Sequence, residues 1–153
     1  MAVEDDLPLI LELIQGLAEY ERLRDQCVAT EEKLRATLFG ERPAAEVLIA
    51  SLDDVPSGFA LFFHNYSTFL AQRGVFLEDL FVRPEARGMG VGRSLLAALA
   101  RLAIERDCGR LEWNVLDWNE SAISFYTSLG AVPMEEWTTF RVTGSALDKL
   151  ANN

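Results

Sequence analysis

"FVRPEARGMGVGRSLL", residues 81–96, passes from a strand-like stretch through three alternating glycines into a leucine-rich helix. At a helix N-terminus the first backbone N–H groups lack partners and the helix dipole is positive, so an anion is favoured there. Glycine also lets the backbone approach phosphate oxygens closely. The segment therefore predicts a phosphate-binding loop, and a glycine-rich connection without a ligand is the alternative. The loop consists of Arg87, Gly88, Met89, Gly90, Val91, Gly92 and Arg93.

Two familiar phosphate-binding motifs do not describe this loop. The dinucleotide fingerprint G-x-G-x-x-G needs glycine at position 93, where the chain has Arg93. A Walker A loop needs the tripeptide G-K-[ST], and none follows these glycines. We therefore expect the loop to bind a different phosphate-bearing ligand.

The composition is that of one globular domain, predicted to span residues 1–153. The formal net charge is −10 and no cluster of Lys and Arg is present, which argues against a nucleic-acid partner. With one histidine and two distant cysteines, Cys27 and Cys108, we expect neither a metal site nor a disulfide framework. Apolar runs stop well short of 18 residues, so no membrane span is expected and the cytoplasm is the predicted compartment.

Hydrophobic periodicity and turn residues predict helices and strands that interleave around one sheet. This pattern gives an α/β or α+β fold class. Predicted helices cover residues 6–24, 30–40, the stretch from the glycines to Gly109, 119–130 and a short segment after Gly144. Predicted strands cover residues 46–52, 58–66, 74–82, 111–115 and 137–143, with a turn at 53–57.

Two carboxylates, Glu78 and Asp79, interrupt an otherwise apolar strand. Adjacent strand residues point to opposite faces of a sheet, so one of the two is expected on the buried side. Burying a carboxylate is costly unless it is paired or has a function. The pair is therefore a candidate site, and a wet, bulged strand end is the alternative.

A third feature is a helix start at Asn119, which follows a strand and can cap the helix. Tyr126 lies on the apolar face of that helix. A tyrosine in this position is either a core residue or a catalytic one, and periodicity alone does not separate the two.

Taken together, these features resemble the GNAT superfamily of acyl-CoA-dependent N-acyltransferases. Its pyrophosphate loop, [QR]-x-x-G-x-[GA], stands here as Arg87-Gly-Met-Gly90-Val-Gly92. The chain looks most similar to the diamine (spermidine/spermine) and thialysine N-acetyltransferase branch, from about Leu7 to Leu150. The segments that carry this likeness, in order, are LAEYE, FLEDLFVRPEARGMGVG and VLDWNESAISFYTSLGA.

The resemblance implies a GNAT fold, with a mixed central sheet flanked by helices, and a homodimer. The opening MAVEDDLPLI lacks the strand that usually comes first in this superfamily, so we expect that strand to be missing or shortened. It also implies acetyl-CoA as co-substrate and no metal.

The resemblance further implies roles for individual residues. Tyr126 matches the acid that protonates the departing thiolate, and Glu78 matches the acidic residue that receives the amine and assists its deprotonation. The expected contacts to acetyl-CoA are Leu80, Phe81, Val82, residues 87–93, Asn119, Glu120, Ser121, Ala122 and Tyr126. The expected amine-binding residues are Tyr20, Glu21, Ser67, Glu78, Glu112, Trp113, Asn114 and one of Glu135 or Glu136, with Glu136 preferred.

The predicted function is acetyl transfer from acetyl-CoA to a primary amine of a small cationic metabolite. Polyamine acetylases of this branch carry an Asp after the substrate-loop tyrosine, whereas Tyr66 is followed here by Ser67, as in the thialysine-like members. We therefore expect thialysine, a lysine-like amine or a short diamine. The alternatives are a polyamine, a protein or peptide amine, and a non-catalytic acyl-CoA-binding module.

Overall fold

The computed structural model describes residues 1–152, which divide into two compact units. The first unit, Met1–Asn114, contains a four-stranded sheet and three helices, and the second begins at Val115. In the first unit the helices are α1 (Leu7–Tyr20), α2 (Glu31–Leu38) and α3 (Val91–Glu105), and the strands are β1 (Glu46–Leu52), β2 (Val55–Ser67), β3 (Gln72–Val82) and β4 (Leu111–Trp113). The second unit contains α4 (Glu120–Ser128) and α5 (Ser145–Ala151).

The sheet has the strand order β1-β2-β3-β4. The first three strands are antiparallel neighbours, and β4 pairs parallel to β3. Only Asp53 and Asp54 form the turn between β1 and β2, and both have positive φ. The predicted turn extends to residue 57, but β2 already begins at Val55. Acidic side chains suit such a turn because Asp tolerates the left-handed region better than most residues.

The two faces of the sheet carry separate apolar layers. On one face, α1 and α2 pack against residues of β1, β2 and β3, including Phe59 and Phe81, which are at most 6% exposed. On the other face, α3 contacts the first three strands and buries Leu95, Leu96 and Leu99. The region from the end of β3 to the start of α3 thus connects the two faces, which places the glycine loop at one end of the sheet.

Most predicted elements of the first unit are present. Strand β1 has the predicted bounds, and the Thr30 hydroxyl caps α2 by accepting from the Lys33 amide at 3.3 Å. Helix α1 ends at Tyr20 rather than at residue 24, because the chain turns through a left-handed residue, Arg22 (φ 61°). Its periodic apolar residues did not reveal that turn.

The predicted strand at residues 137–143 is wrong, since this segment forms no strand. Trp137 and Phe140 are 78% and 90% exposed. β-branched and aromatic residues favour a strand only where a neighbouring edge supplies hydrogen-bond partners and a packed face. Among residues 1–152, sheet pairing does not extend beyond β4 to this segment.

The N-terminal edge agrees with the expected loss of the first strand. No strand precedes α1 in the described chain, and a short 3-10 turn occupies Glu4–Asp6. The Ala2 amide still donates to the Val47 carbonyl of β1 at 2.8 Å. Among residues 1–152 no helix combines the length and the apolarity that crossing a membrane requires.

Candidate active site

The glycine loop has the backbone geometry of an anion-binding turn. Gly88 and Gly90 adopt positive φ angles of 76° and 85°, a region that side chains other than glycine rarely adopt. A Cβ at either position would meet no atom within 4 Å, so open space lies beside the backbone. Helix α3 begins directly after Gly90, and its first-turn N–H groups have no partner within the helix itself. These N–H groups and the adjoining space fit a pyrophosphate.

Arg87 does not lie over the start of α3. Its guanidinium carbon lies 4.5 Å from the ring centroid of Tyr20 and 5.9 Å from that of Phe81, on the α1 face of the sheet. Its Nε donates to the Val82 carbonyl at 3.0 Å. Arg93, in the first turn of α3, is exposed.

A groove of about 420 Å³ lies between α1 and the segment that follows β3. Tyr20, Phe81 and Arg87 line it. The remaining side chains at its wall carry both signs of charge, and Glu12 and Arg83 pair there at 2.9 Å. The groove is therefore a mixed surface rather than a purely acidic one.

A β-bulge lies at Glu78. Asp79 is opposite Leu61, but the next residue of β2, Phe62, is opposite Leu77, so Glu78 is an extra residue in β3. The bulge reverses the alternation of side chains. Asp79 thereby shares the α1 face with Phe81, although Leu77 faces α3.

Two further carboxylates, Glu78 and Glu21, lie close enough to Asp79 for their charges to act on it. Burial, followed by the charges of Glu78 and Glu21, raises the pKa of Asp79 to about 6. Burial also raises the pKa of Glu21, which follows the last residue of α1. Glu78 is exposed. Such a cluster favours a bound cation. The positive charge would reduce the repulsion between the carboxylates and offset the cost of burying an ionised carboxyl group.

The outer edge of β3 is open next to this cluster. Pairing with β4 ends at Leu77↔Trp113, whereas pairing with β2 continues to Val82. Leu80, Phe81 and Val82 therefore have no strand neighbour on that side within residues 1–152. An edge of this kind offers backbone N–H and C=O groups to an extended ligand.

Two of the expected amine-binding residues already have partners. The Glu112 carboxylate accepts from Asn65 at 2.9 Å and lies 2.8 Å from Nε of Arg110. Ser67 is buried, and its hydroxyl accepts from the Leu70 amide in the hairpin loop at 3.3 Å. Both side chains support the local structure, which reduces their capacity to bind a further cation. Trp113 is half-buried, and Asn114 is exposed.

The second unit contains the remaining site candidates. Asn119 caps α4, its side chain accepting from the Ala122 amide at 3.2 Å, as predicted. Tyr126 is half-buried on α4, with its ring centroid 5.4 Å from that of Phe125. Glu120, Ser121, Glu135 and Glu136 are exposed.

Residues 14–131 match the family profile described as Acetyltransferase (GNAT) family, more than half of the chain. The chain belongs to the GNAT family. As a GNAT protein it is an acetyltransferase, and acetyltransferases of this family use acetyl-CoA. The expected α/β GNAT fold is confirmed.

Individual relatives refine this assignment. This GNAT chain is 40% identical to a thialysine N-epsilon-acetyltransferase of Bos taurus, over 98% of the chain and 94% of the relative. It is 35% identical to an L-ornithine N5-acetyltransferase of Arabidopsis thaliana, over 98% and 86% respectively. An integron cassette protein of V. cholerae has a similar structure, with a TM-score of 0.79 and 30% identity, over 98% of this chain and 91% of that one. The named relatives support acetyl transfer to an amine.

The strand pattern makes both Glu78 and Asp79 candidates, whereas the family resemblance gives a role to Glu78 alone. The available signal was the alternation of strand residues, which required one of the pair to face the buried side. The bulge decides which one, and a bulge has no reliable sequence signature in the absence of glycine. Within residues 1–152, no group of three or more His, Cys, Asp or Glu side chains could hold a metal ion.

Proposed function

We propose that this GNAT acetyltransferase transfers acetyl from acetyl-CoA to a primary amine of a small cationic metabolite. The observation that carries the proposal is the carboxylate cluster Glu21, Glu78 and Asp79 beside the open edge of β3. A cluster of carboxylates next to an apolar strand suits an alkylammonium better than a neutral acceptor. Thialysine, a lysine-like amine and a short diamine are the proposed substrates.

Acetyl-CoA binds, in this proposal, to the end of the sheet that carries the glycine loop. The backbone N–H groups at the start of α3 hold the pyrophosphate, and Arg93 adds positive charge. The pantetheine arm extends along Leu80, Phe81 and Val82 and pairs with their backbone. The capped start of α4, residues 119–122, supplies a further contact, as the family resemblance implies.

The chemistry begins with the amine. An alkylammonium has a pKa near that of lysine, about 10.4, so deprotonation near neutral pH costs about 4 kcal/mol. Asp79 holds the cation, and Glu78, exposed at the bulge, passes its proton to solvent through water. The amine nitrogen then attacks the thioester carbon, the C–S bond breaks, and Tyr126 gives its phenolic proton to the thiolate. The acylated nitrogen releases its second proton to solvent and the Tyr126 phenolate takes up a proton from solvent, so that CoA leaves as the thiol and the product is a neutral amide. Backbone N–H groups of the open β3 edge stabilise the oxyanion.

Two alternatives remain within amine acetylation. A polyamine such as spermidine would need carboxylates along its length, but Ser67 occupies one expected acidic position and Glu112 is already paired. A protein or peptide amine would need an open groove for an extended chain, to which Trp113 and Asn114 could contribute. The pairing of Glu112 and the compact cluster at the bulge favour a small amine over these alternatives.

A homodimer in the cytoplasm completes the proposal. Support for the dimer comes from the family resemblance and from the exposed apolar side chains of the second unit, which include Met134, Trp137 and Phe140. Contact with a second copy would remove these side chains from water. Light scattering should give twice the monomer mass of 17.1 kDa, and a mass of 17.1 kDa would reject the dimer.

The experiment that tests the function is release of free thiol from acetyl-CoA in the presence of single amines. The panel contains thialysine, lysine, ornithine, putrescine, spermidine, spermine and a set of lysine peptides. Highest kcat/KM for thialysine or a short diamine would support the proposal. If kcat/KM is highest for spermine or for a peptide, the substrate is a polyamine or a peptide amine and not the small amine proposed here. Binding of acetyl-CoA without turnover of any amine would favour the non-catalytic module.

Tyr126→Phe tests the proposed acid. The variant keeps the ring and removes the proton donor, so kcat should fall by about 10²-fold or more while KM for acetyl-CoA changes little. Steady-state kinetics with the best amine provide the measurement. A kcat equal to that of the parent would remove Tyr126 from the acid role.

A further inference from the structure

Arg87 opens the glycine loop, yet its side chain faces helix α1 instead of the loop's own anion-binding backbone. The guanidinium lies against Tyr20, at the end of α1, and against Phe81, whose ring belongs to the core layer on the α1 face. Helix α3, whose N-terminus forms the anion site, packs on the other face. The first residue of the loop is thus attached to the amine-binding side of the protein.

Three contacts hold the side chain in this position. The planar guanidinium stacks on Tyr20, approaches Phe81 and donates through Nε to the Val82 carbonyl. Lysine reproduces the charge of arginine but neither its planar stacking surface nor its Nε donor. The contacts therefore depend on arginine as such, and not on positive charge alone.

The attachment matters for the first half of the loop, because the other end is already held by Val91, which is buried in the first turn of α3. Gly88 and Gly90 have positive φ, and their Cα atoms face open space. Glycine has the largest backbone freedom of any residue, so a loop of this composition has a large ordering cost when it closes on a ligand. Fixing one end of the loop in advance lowers that cost and raises affinity without a new ligand contact.

We propose that Arg87 is a positioning residue that fixes the glycine loop to helix α1 through Tyr20, and that Tyr20 thereby contributes to acetyl-CoA affinity. The inference rests on the proposed function only in taking acetyl-CoA as the ligand of the loop. Because Glu21 follows Tyr20 directly, the same contact joins the cofactor loop to the carboxylate cluster. A residue expected to bind the amine thus acts on the binding of the other substrate.

The test is the equilibrium dissociation constant of CoA, measured by calorimetry without amine. A cation–π contact at a partly exposed site contributes about 0.5–1 kcal/mol, which corresponds to about a two- to fivefold change in affinity. Tyr20→Leu should weaken CoA binding by this factor. Tyr20→Phe keeps the ring and loses the hydroxyl, and should bind CoA as the parent does. Arg87→Lys should show the defect of Tyr20→Leu.

The double variant decides between positioning and direct contact. If Tyr20 acts through Arg87, then Tyr20→Leu combined with Arg87→Lys should bind CoA no more weakly than Arg87→Lys alone. Additive losses, or an unchanged dissociation constant in Tyr20→Leu, would overturn the inference. Parental affinity in Arg87→Lys would do the same, since a lysine suffices for a direct phosphate contact.

Two controls keep the outcome interpretable. Thermal melting of each variant must show that the fold is retained, because Arg87 also lies against the core residue Phe81, and Tyr20 lines the same groove. The parent protein must bind CoA in the same assay. Failure of the parent to bind would reject the proposed function itself, whereas normal binding by the parent and by Tyr20→Leu would reject the positioning role alone.

Discussion

Asp79 carries an unfavourable charge in the folded protein. Burial is the largest cause of its raised pKa, and repulsion by Glu78 and Glu21 adds to it. A carboxyl group whose pKa rises from an ordinary 3.8 to about 6 on folding binds its proton more strongly in the folded chain. Its contribution to stability is thus largest at low pH and is lost as the pH rises from about 4 through 6.

Asp79→Asn should stabilise the protein above pH 6 by about 1–3 kcal/mol, because asparagine has no charge to bury. Urea denaturation at pH 7.5 and pH 4.5 provides the measurement, and the difference between variant and parent should shrink at the lower pH. Glu41→Gln, at an exposed carboxylate, is the matched control. Equal effects at both pH values would contradict the raised pKa.

The same residue connects stability with binding. If the ionised form of Asp79 holds the ammonium group, its charge is unfavourable for folding but useful for amine capture. The kcat/KM for the amine should therefore fall as the pH drops below about 6 in the parent. This explains in physical terms why a strand would keep a carboxylate that lowers its stability.

At the scale of elements, the glycine loop and α3 form one unit of local structure. Gly90 precedes the helix with φ 85°, and Gly92 is already its second residue. The two glycines therefore have different reasons to be glycine. Gly90 needs the left-handed region, whereas the family motif [QR]-x-x-G-x-[GA] accepts alanine at position 92.

Gly90→Ala should lower stability by about 1–2 kcal/mol, since a Cβ is disfavoured in the left-handed region even where space is open. Gly92→Ala should have no such cost, because alanine has the higher helix propensity. Thermal melting of the two variants side by side provides the comparison. Equal losses of melting temperature would show that φ at position 90 is not the deciding factor.

Some of these elements could be predicted from the sequence because their signals are local. The caps at Thr30 and Asn119 and the glycine loop depend on residues a few positions apart. The bulge at Glu78 could not be predicted, since it depends on the register between β2 and β3. The strand expected at 137–143 failed for a related reason: its composition suits a strand, but pairing requires a neighbouring edge.

At the scale of the whole molecule, some parts of the candidate site depend on neighbouring residues in the sequence and others on contacts between distant segments. The loop proposed to bind phosphate could be identified from contiguous residues, whereas the position of Arg87 on α1 depends on a contact between distant parts of the chain. Glu112 was expected to bind the amine, but its ion pair with Arg110 and its contact with Asn65 become visible only in three dimensions. Sequence spacing shows which groups are present, and tertiary structure shows which of them already have a partner.

The strand order also bears on how the chain reaches its native state. Strands β1, β2 and β3 follow one another in sequence as a meander, so their pairing closes only short loops. Strand β4 joins β3 in parallel after the chain has crossed residues 83–110, and such non-local pairing forms more slowly. Trp113 lies on β4, and β1, β2 and β3 contain no tryptophan. In stopped-flow refolding of a variant with Trp118→Phe and Trp137→Phe, which leaves Trp113 as the fluorescent reporter, we therefore expect the far-ultraviolet circular dichroism to recover before the fluorescence. Simultaneous recovery would indicate that the whole sheet forms in one step.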